Sequence, residues 1–146
     1  MKHVSYLMII FLCLNLSGMG QIQFGEKRVV FSEEKSIILN SVADSIYQRF
    51  TPSVSDIDST DVCLQSYFQI IDNKDQSHPD LATYYRQYVG LIINGQKCIY
   101  VNASCREVEY FQENTYYPKG GGRCYFQTLI GLQNKNILKF YFNAPK

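Results

Sequence analysis

The chain contains no tryptophan, only four prolines and only two histidines among its 146 residues, and its formal net charge is +1. The charge balance and the shortage of histidine each close off a class of function. Nucleic-acid binding leans on clustered Lys and Arg that neutralise phosphates, and a near-neutral chain offers no such field. The same balance gives no reason to expect an anionic membrane surface as partner. Catalysis by an activated nucleophile needs a base beside it, usually histidine. His3 lies at the extreme start, which leaves His78, between Ser77 and Pro79 in a polar loop. Asp75 and Asp80 share that loop and nothing fixes a catalytic geometry, so His78 reads as an exposed loop residue.

Metal and phosphate signatures are missing too. No two cysteines stand in a C-x-x-C arrangement that would present two thiolates to one zinc ion. The carboxylates of Asp56-Ile57-Asp58-Ser59-Thr60-Asp61 alternate as in a calcium loop. Asp61, however, stands where an EF-hand needs glycine, and Tyr67 where it needs a bidentate glutamate. Gly120-Gly121-Gly122 lacks the Lys-Ser/Thr and the helix that would make it a phosphate cradle, and reads instead as a sharp turn into Cys124. No metal and no cofactor is expected.

What is present begins with an apolar run. Met1-Lys2-His3 forms a weakly basic head, Val4 to Leu14 a short apolar core, and Ser17-Gly18-Met19-Gly20 a small-residue exit. That order is the signature of an export signal over residues 1–20, cut before Gln21. The core is shorter than the roughly 20 apolar residues that span a bilayer. Lipidation of Cys13 would need small residues before it, whereas Ile10-Phe11-Leu12 are bulky. The expectation is a secreted or periplasmic protein with one domain over 21–146. Without Lys2 the remainder has 13 basic residues (14 minus one) against 13 acidic, a formal charge of zero. Its cysteines are Cys63, Cys98, Cys105 and Cys124. An even count in an oxidising compartment reads as two disulfides, with three possible pairings.

Periodicity then outlines the fold. Gln21 to Phe31 reads as a first strand. Ser32 is a suitable N-cap with Glu33 and Glu34 behind it, and Ile38, Val42, Ile46 and Phe50 recur at four-residue spacing up to Pro52. This predicts an amphipathic helix over 33–50. Thr51 to Asp61 reads as a polar loop and Val62 to Ile71 as a strand. Tyr84 to Ile93, Asn94-Gly95, and Lys97 to Ala103 make a hairpin signal, because Asn-Gly takes positive φ cheaply. On that register Leu91 faces Cys98, Val89 faces Tyr100 and Tyr88 faces Val101. A second hairpin is expected from Cys124 to Leu132 and Ile137 to Asn143, after an irregular stretch over 105–119. The predicted class is α+β: one N-terminal helix packed on a curved antiparallel sheet of four to five strands. The order of elements resembles the cystatin-like arrangement, an analogy of fold that carries no activity.

The segments Tyr85-Arg86-Gln87-Tyr88-Val89-Gly90, Gly95-Gln96-Lys97, Tyr100-Val101-Asn102-Ala103-Ser104-Cys105 and Gly121-Gly122-Arg123-Cys124-Tyr125-Phe126 are similar to landmarks of small, uncharacterised secreted proteins of Gram-negative bacteria. The C-terminal Phe142-Asn143-Ala144-Pro145-Lys146 departs from the tail of that group. The resemblance implies a compartment and a fold without a mechanism. It also implies that Cys105 pairs with Cys124, leaving Cys63 and Cys98 as the remaining pair.

The residues most suited to contact lie in the irregular stretch. Tyr110, Phe111, Tyr116 and Tyr117 offer broad apolar faces, three of them with polar tips, at little entropic cost on binding. Glu107, Glu109 and Glu113 sit among them and raise an alternative, since paired carboxylates hydrolyse glycosidic bonds. An inhibitor of a secreted enzyme is a further alternative by fold analogy. The nearest string to a Gln-x-Val-x-Gly inhibitory wedge, Arg86 to Gly90, reads as strand rather than exposed loop. Asn102-Ala103-Ser104 matches a glycosylation sequon. The composition favours a non-catalytic binding or interaction module, with a protein or carbohydrate partner in the periplasm or outside the cell.

Overall fold

A computed structural model describes residues 21–23, 25–39, 47–72 and 79–145. The expected leader over 1–20, the middle of the expected helix at 40–46, and His78 lie outside the described residues. The class is α+β. The strands are β1 (Gln21–Gln23), β2 (Arg28–Phe31), β3 (Tyr47–Phe50), β4 (Tyr85–Ile93), β5 (Gln96–Ser104), β6 (Tyr125–Gly131) and β7 (Asn136–Phe142), with helix α1 (Val54–Asp72) between β3 and β4. Six strands run in the order β1-β2-β4-β5-β6-β7, and the sheet is open rather than closed. β2 pairs parallel with Arg28–Phe31 against Arg86–Val89, and β3 pairs antiparallel with the other half of the same β4 edge.

Three sequence expectations are corrected here. The expected helix over 33–50 is not helical where it is described: Tyr47–Phe50 is strand, and Ile37 and Leu39 pack inward while Ile38 is exposed. The helix instead occupies Val54–Asp72, the stretch expected to be loop and then strand. Its start has a local cause. Ser53 is the N-cap, Asp56 N donates to Ser53 Oγ at 3.2 Å, and Ser53 N donates back to Asp56 Oδ2 at 2.9 Å. This reciprocal cap satisfies two donors that a helix start would otherwise leave open. Ile57, Thr60, Leu64 and Phe68 then form one narrow buried stripe, with Ser, Asp and Gln on the solvent side. The third correction concerns the sheet, which is mixed and larger than the expected four or five antiparallel strands. The parallel β2–β4 pair is possible because the connection between them carries α1, and parallel neighbours need a long crossover. The expected first strand is itself split, with β1 and β2 pairing antiparallel across a turn at Gly25, where φ is 89°.

The two hairpins follow the sequence signal. Asn94 and Gly95 take φ of 51° and 78°, and Leu91, Val89 and Tyr88 pair with Cys98, Tyr100 and Val101. β6 and β7 pair around Lys135, with a register shift at Leu129/Ile130. Alternation then sends each strand's side chains to two faces. On the helix face, Phe68 of α1 enters a cluster with Tyr84, Tyr88, Ile99, Val101, Phe126 and Ile130. The Phe68 ring meets Tyr84 and Phe126 at centroid distances of 5.9 and 5.4 Å. On the opposite face Val29, Phe31, Val89, Leu91, Tyr100 and Leu129 form a second cluster, covered by the 105–119 loop and by Ile37 and Leu39. Gly90 is required by a close approach: a Cβ there would lie 2.2 Å from the Phe50 carbonyl oxygen of the neighbouring strand.

Candidate functional site

Three polar residues interrupt the apolar loop face at one level of the sheet. Gln87 pairs across β4–β5 with Asn102, and Asn102 pairs across β5–β6 with Gln127. All three are at most 4% exposed. Their amides form a ladder: Asn102 Nδ2 donates to Gln87 Oε1 at 2.9 Å and Gln127 Nε2 donates to Asn102 Oδ1 at 3.3 Å. The ladder reaches out to the loop above it. Gln87 Nε2 donates to the Phe111 and Asn114 carbonyls, and Asn102 Nδ2 also donates to the Tyr116 carbonyl at 2.9 Å. A buried amide without partners is costly, so these bonds hold the backbone of an otherwise irregular segment to a rigid sheet. At the far end Gln127 Oε1 and the Tyr141 hydroxyl, on cross-strand paired residues, are buried without a partner among the described residues.

The sequence-predicted contact residues divide into two kinds. Phe111 is buried, edge-on to the Tyr85 ring at 5.5 Å, and Tyr117 is half-buried, with its hydroxyl 3.2 Å from that of Tyr100 and donating to the Ile38 carbonyl at 2.9 Å. These two anchor the loop. Tyr110, at 60% exposure, and Tyr116, at 39%, project to solvent. Tyr110 also takes φ of 58°, and its carbonyl accepts from both Glu113 N and Asn114 N, which bends the loop tightly at its tip. Glu107, Glu109 and Glu113 line one open cleft of about 510 Å³ together with Glu26, Tyr110 and Phe111. A second cleft of about 350 Å³ lies at the other end of the loop, where Tyr116, Arg106 and Lys119 meet Tyr125.

The disulfide joins Cys105 to Cys124, with Cα atoms 4.8 Å apart, and Cys105 N donates to the Cys124 carbonyl at 2.7 Å. It closes the base of the loop. The pairing of Cys63 with Cys98 is corrected: both are free thiols on opposite faces of the sheet, Cys63 beside the helix-face core and Cys98 within the loop-face cluster. Burial pushes both thiols above their ordinary range, which keeps them protonated and weakly nucleophilic. Two of the three carboxylates weighed as calcium ligands are engaged otherwise, and Asp58 is exposed on α1. Asp56 caps α1, and Asp61 binds Arg28 at 3.2 Å and Arg86 at 3.1 Å while accepting from the Tyr88 hydroxyl. No group of three or more His, Cys, Asp or Glu suited to a metal occurs among the described residues. Asn102 of the sequon is buried and bonded within the ladder, so its amide is closed to glycosylation.

Gln87, Asn102 and Gln127 were not among the residues the sequence singled out. The signal was available, because the hairpin register places Gln87 opposite Asn102 on an otherwise apolar face. Comparison with protein-family models, with curated proteins and with solved structures finds no match to this chain.

Proposed function

We propose that the protein is a small exported binding module, braced by a disulfide and working without catalysis, whose contact face is the 105–119 loop. The observation that carries this reading is the tethering of that loop. Its backbone hangs from Gln87 and Asn102, its base is closed by Cys105–Cys124, and Phe111 and Tyr117 root it, while Tyr110 and Tyr116 stay open to solvent. A loop already held in one shape loses little entropy when it binds, which is the advantage of a preorganised recognition surface. The export signal read in residues 1–20 supplies the compartment in which such a disulfide persists. The test is capture of partners from extracellular or periplasmic material with the wild-type chain and with Tyr110→Ala and Tyr116→Ala. Loss of a captured partner in either variant supports the reading, and binding unchanged in both refutes the assigned face.

The gathering of Glu107, Glu109, Glu113 and Glu26 around one cleft favours a second reading, hydrolysis of a glycosidic bond by two of these carboxylates. Turnover of aryl glycosides that one Glu→Gln variant abolishes without unfolding the chain would establish it. Absence of turnover by the wild-type protein across α- and β-linked substrates would remove it.

A further inference from the structure

The cleft at the Tyr116 end of the loop differs in charge from the carboxylate-lined one, and its two cationic side chains have no structural duty of their own. Arg106 and Lys119 line it, both exposed, and neither side chain has a hydrogen-bond or ion-pair partner among the described residues. One wall is a pair of tilted tyrosine rings, Tyr116 and Tyr125, with centroids 5.9 Å apart at 49°. The rim is the bare backbone of Gly120 and Gly121, whose φ values of 82° and 87° suit glycine and disfavour any residue with a Cβ. A Cβ on Gly121 would lie 2.5 Å from the Tyr125 ring, so that ring and the glycine backbone are packed against each other.

The floor is rigid where the side chains are free. Asn143 Nδ2 donates to the Pro118 carbonyl at 2.9 Å and to the Gly120 carbonyl at 3.1 Å, and Gly122 N donates to the Ala144 carbonyl at 3.1 Å. The disulfide holds Cys105, and with it the neighbouring Arg106, beside Cys124, two residues past the last glycine of the turn. Two cations without partners, the exposed face of Tyr116 and the backbone of two glycines therefore converge on about 350 Å³, within the size range of small-ligand sites.

We propose that this cleft binds an anionic sugar, with Arg106 and Lys119 taking its carboxylate or phosphate and the exposed Tyr116 ring, backed by the buried Tyr125, taking the face of the pyranose. A guanidinium fork matches a carboxylate or phosphate by two parallel hydrogen bonds, and the lysine adds a point charge. A sugar ring offers what the rest of the cleft asks for: an apolar face for Tyr116 and hydroxyls for the glycine backbone. The proposal deepens the reading of the loop as a contact face by naming a ligand class for one end of it.

The experiment titrates the folded, disulfide-bonded chain with glucuronate, glucose 6-phosphate, glucose and acetate, following the backbone amides of Gly120, Gly121 and Tyr125 by NMR. Saturable shifts with either anionic sugar, weaker with glucose and with acetate, are expected; the two anionic arms separate a carboxylate source from a phosphate source. Arg106→Ala is expected to weaken binding roughly ten-fold or more, since hydrogen bonds to charged groups are the strong ones, and Arg106→Lys less. Lys119→Ala is expected to weaken it by a smaller factor. Because both side chains are exposed and unpartnered, the rest of the amide spectrum is expected to stay in place and report that each variant is folded. Shifts absent with both anionic sugars, equal affinity for glucose or for acetate, or unchanged affinity in Arg106→Ala would each overturn the proposal. None of those results touches the Tyr110 and Tyr116 capture experiment, so the two readings fail separately.

Discussion

The two faces of the sheet are built on different principles. The helix face is closed by aromatic packing: the Phe68 ring centroid lies within 6.4 Å of those of Tyr84, Phe126, Phe140 and Phe142, and Phe140 meets Phe142 at 5.1 Å. The loop face has fewer rings and a buried amide ladder, and its cover is an irregular segment rather than a helix. Packing of that kind on the helix face is strong and indifferent to exact position, whereas a satisfied amide specifies where one backbone atom must sit. One face thus supplies stability and the other holds a shape, and it is the second that presents Tyr110, Tyr116 and the two clefts.

The largest effect expected from breaking this comparison is on the helix face. Phe126→Ala removes a side chain at 0% exposure and is expected to cost about 3–5 kcal/mol in denaturant unfolding. A cost under about 1 kcal/mol would mean that the ring cluster does not carry the stability. Next comes the tie at the base of the loop. Replacing Cys105 and Cys124 together by serine opens a closure of sequence separation 19 and is expected to cost about 3 kcal/mol.

Gln87→Leu probes the other principle. It orphans the Phe111 and Asn114 carbonyls and takes from the Asn102 side-chain amide N–H its Gln87 acceptor, at a cost of about 1–3 kcal/mol. Amide exchange is expected to quicken across 105–119 while α1 keeps its protection; equal loosening of both would erase the distinction between the faces. Alkaline pH sharpens it from the opposite side. Burial raises the Tyr88 hydroxyl well above its ordinary value of 10.0, with Arg86 lowering and Asp61 raising it in turn, and burial raises Tyr84 as well. A folded-state pKa above the unfolded one means stability is complete below about pH 10 and is lost as pH climbs beyond it. Chemical unfolding measured across that window is expected to show a falling midpoint, and Tyr88→Phe is expected to flatten the fall. The smallest effect belongs to Ser53→Ala, which removes the cap of α1 and is expected to cost about 1 kcal/mol.

Much of the sheet was legible beforehand. The Asn94-Gly95 turn and the alternation on either side set the β4–β5 register residue by residue, because a two-residue turn leaves no freedom in the pairing. The irregular character of 105–119 was equally plain. The helix was misplaced for a physical reason. The four-residue spacing that begins at Ile38 and ends at Phe50 suggested a helical stripe, yet Ile38 is exposed and Phe50 packs against Gly90 as a strand residue. Ser53 to Asp61 looked like linker because Ser, Thr and Asp favour turns, and their use here as a cap and a solvent face depends on only four buried positions. The candidate site was read in half: the tyrosines were found from composition, but which of them are anchors and which are exposed followed from the amide ladder beneath.

Local pattern, then, was enough to determine the two hairpins, the β4–β5 register and the irregular 105–119 stretch, since those depend on turn chemistry and a period of two along contiguous residues. The location of the helix, the parallel neighbour of β4, the two thiols left on opposite faces and the convergence of Arg106, Lys119, Tyr116 and Tyr125 were decided only by tertiary structure. Each of these joins residues far apart in the chain or sets one burial against another. Local preference is silent about such contacts until the sheet supplies the surface on which they compete.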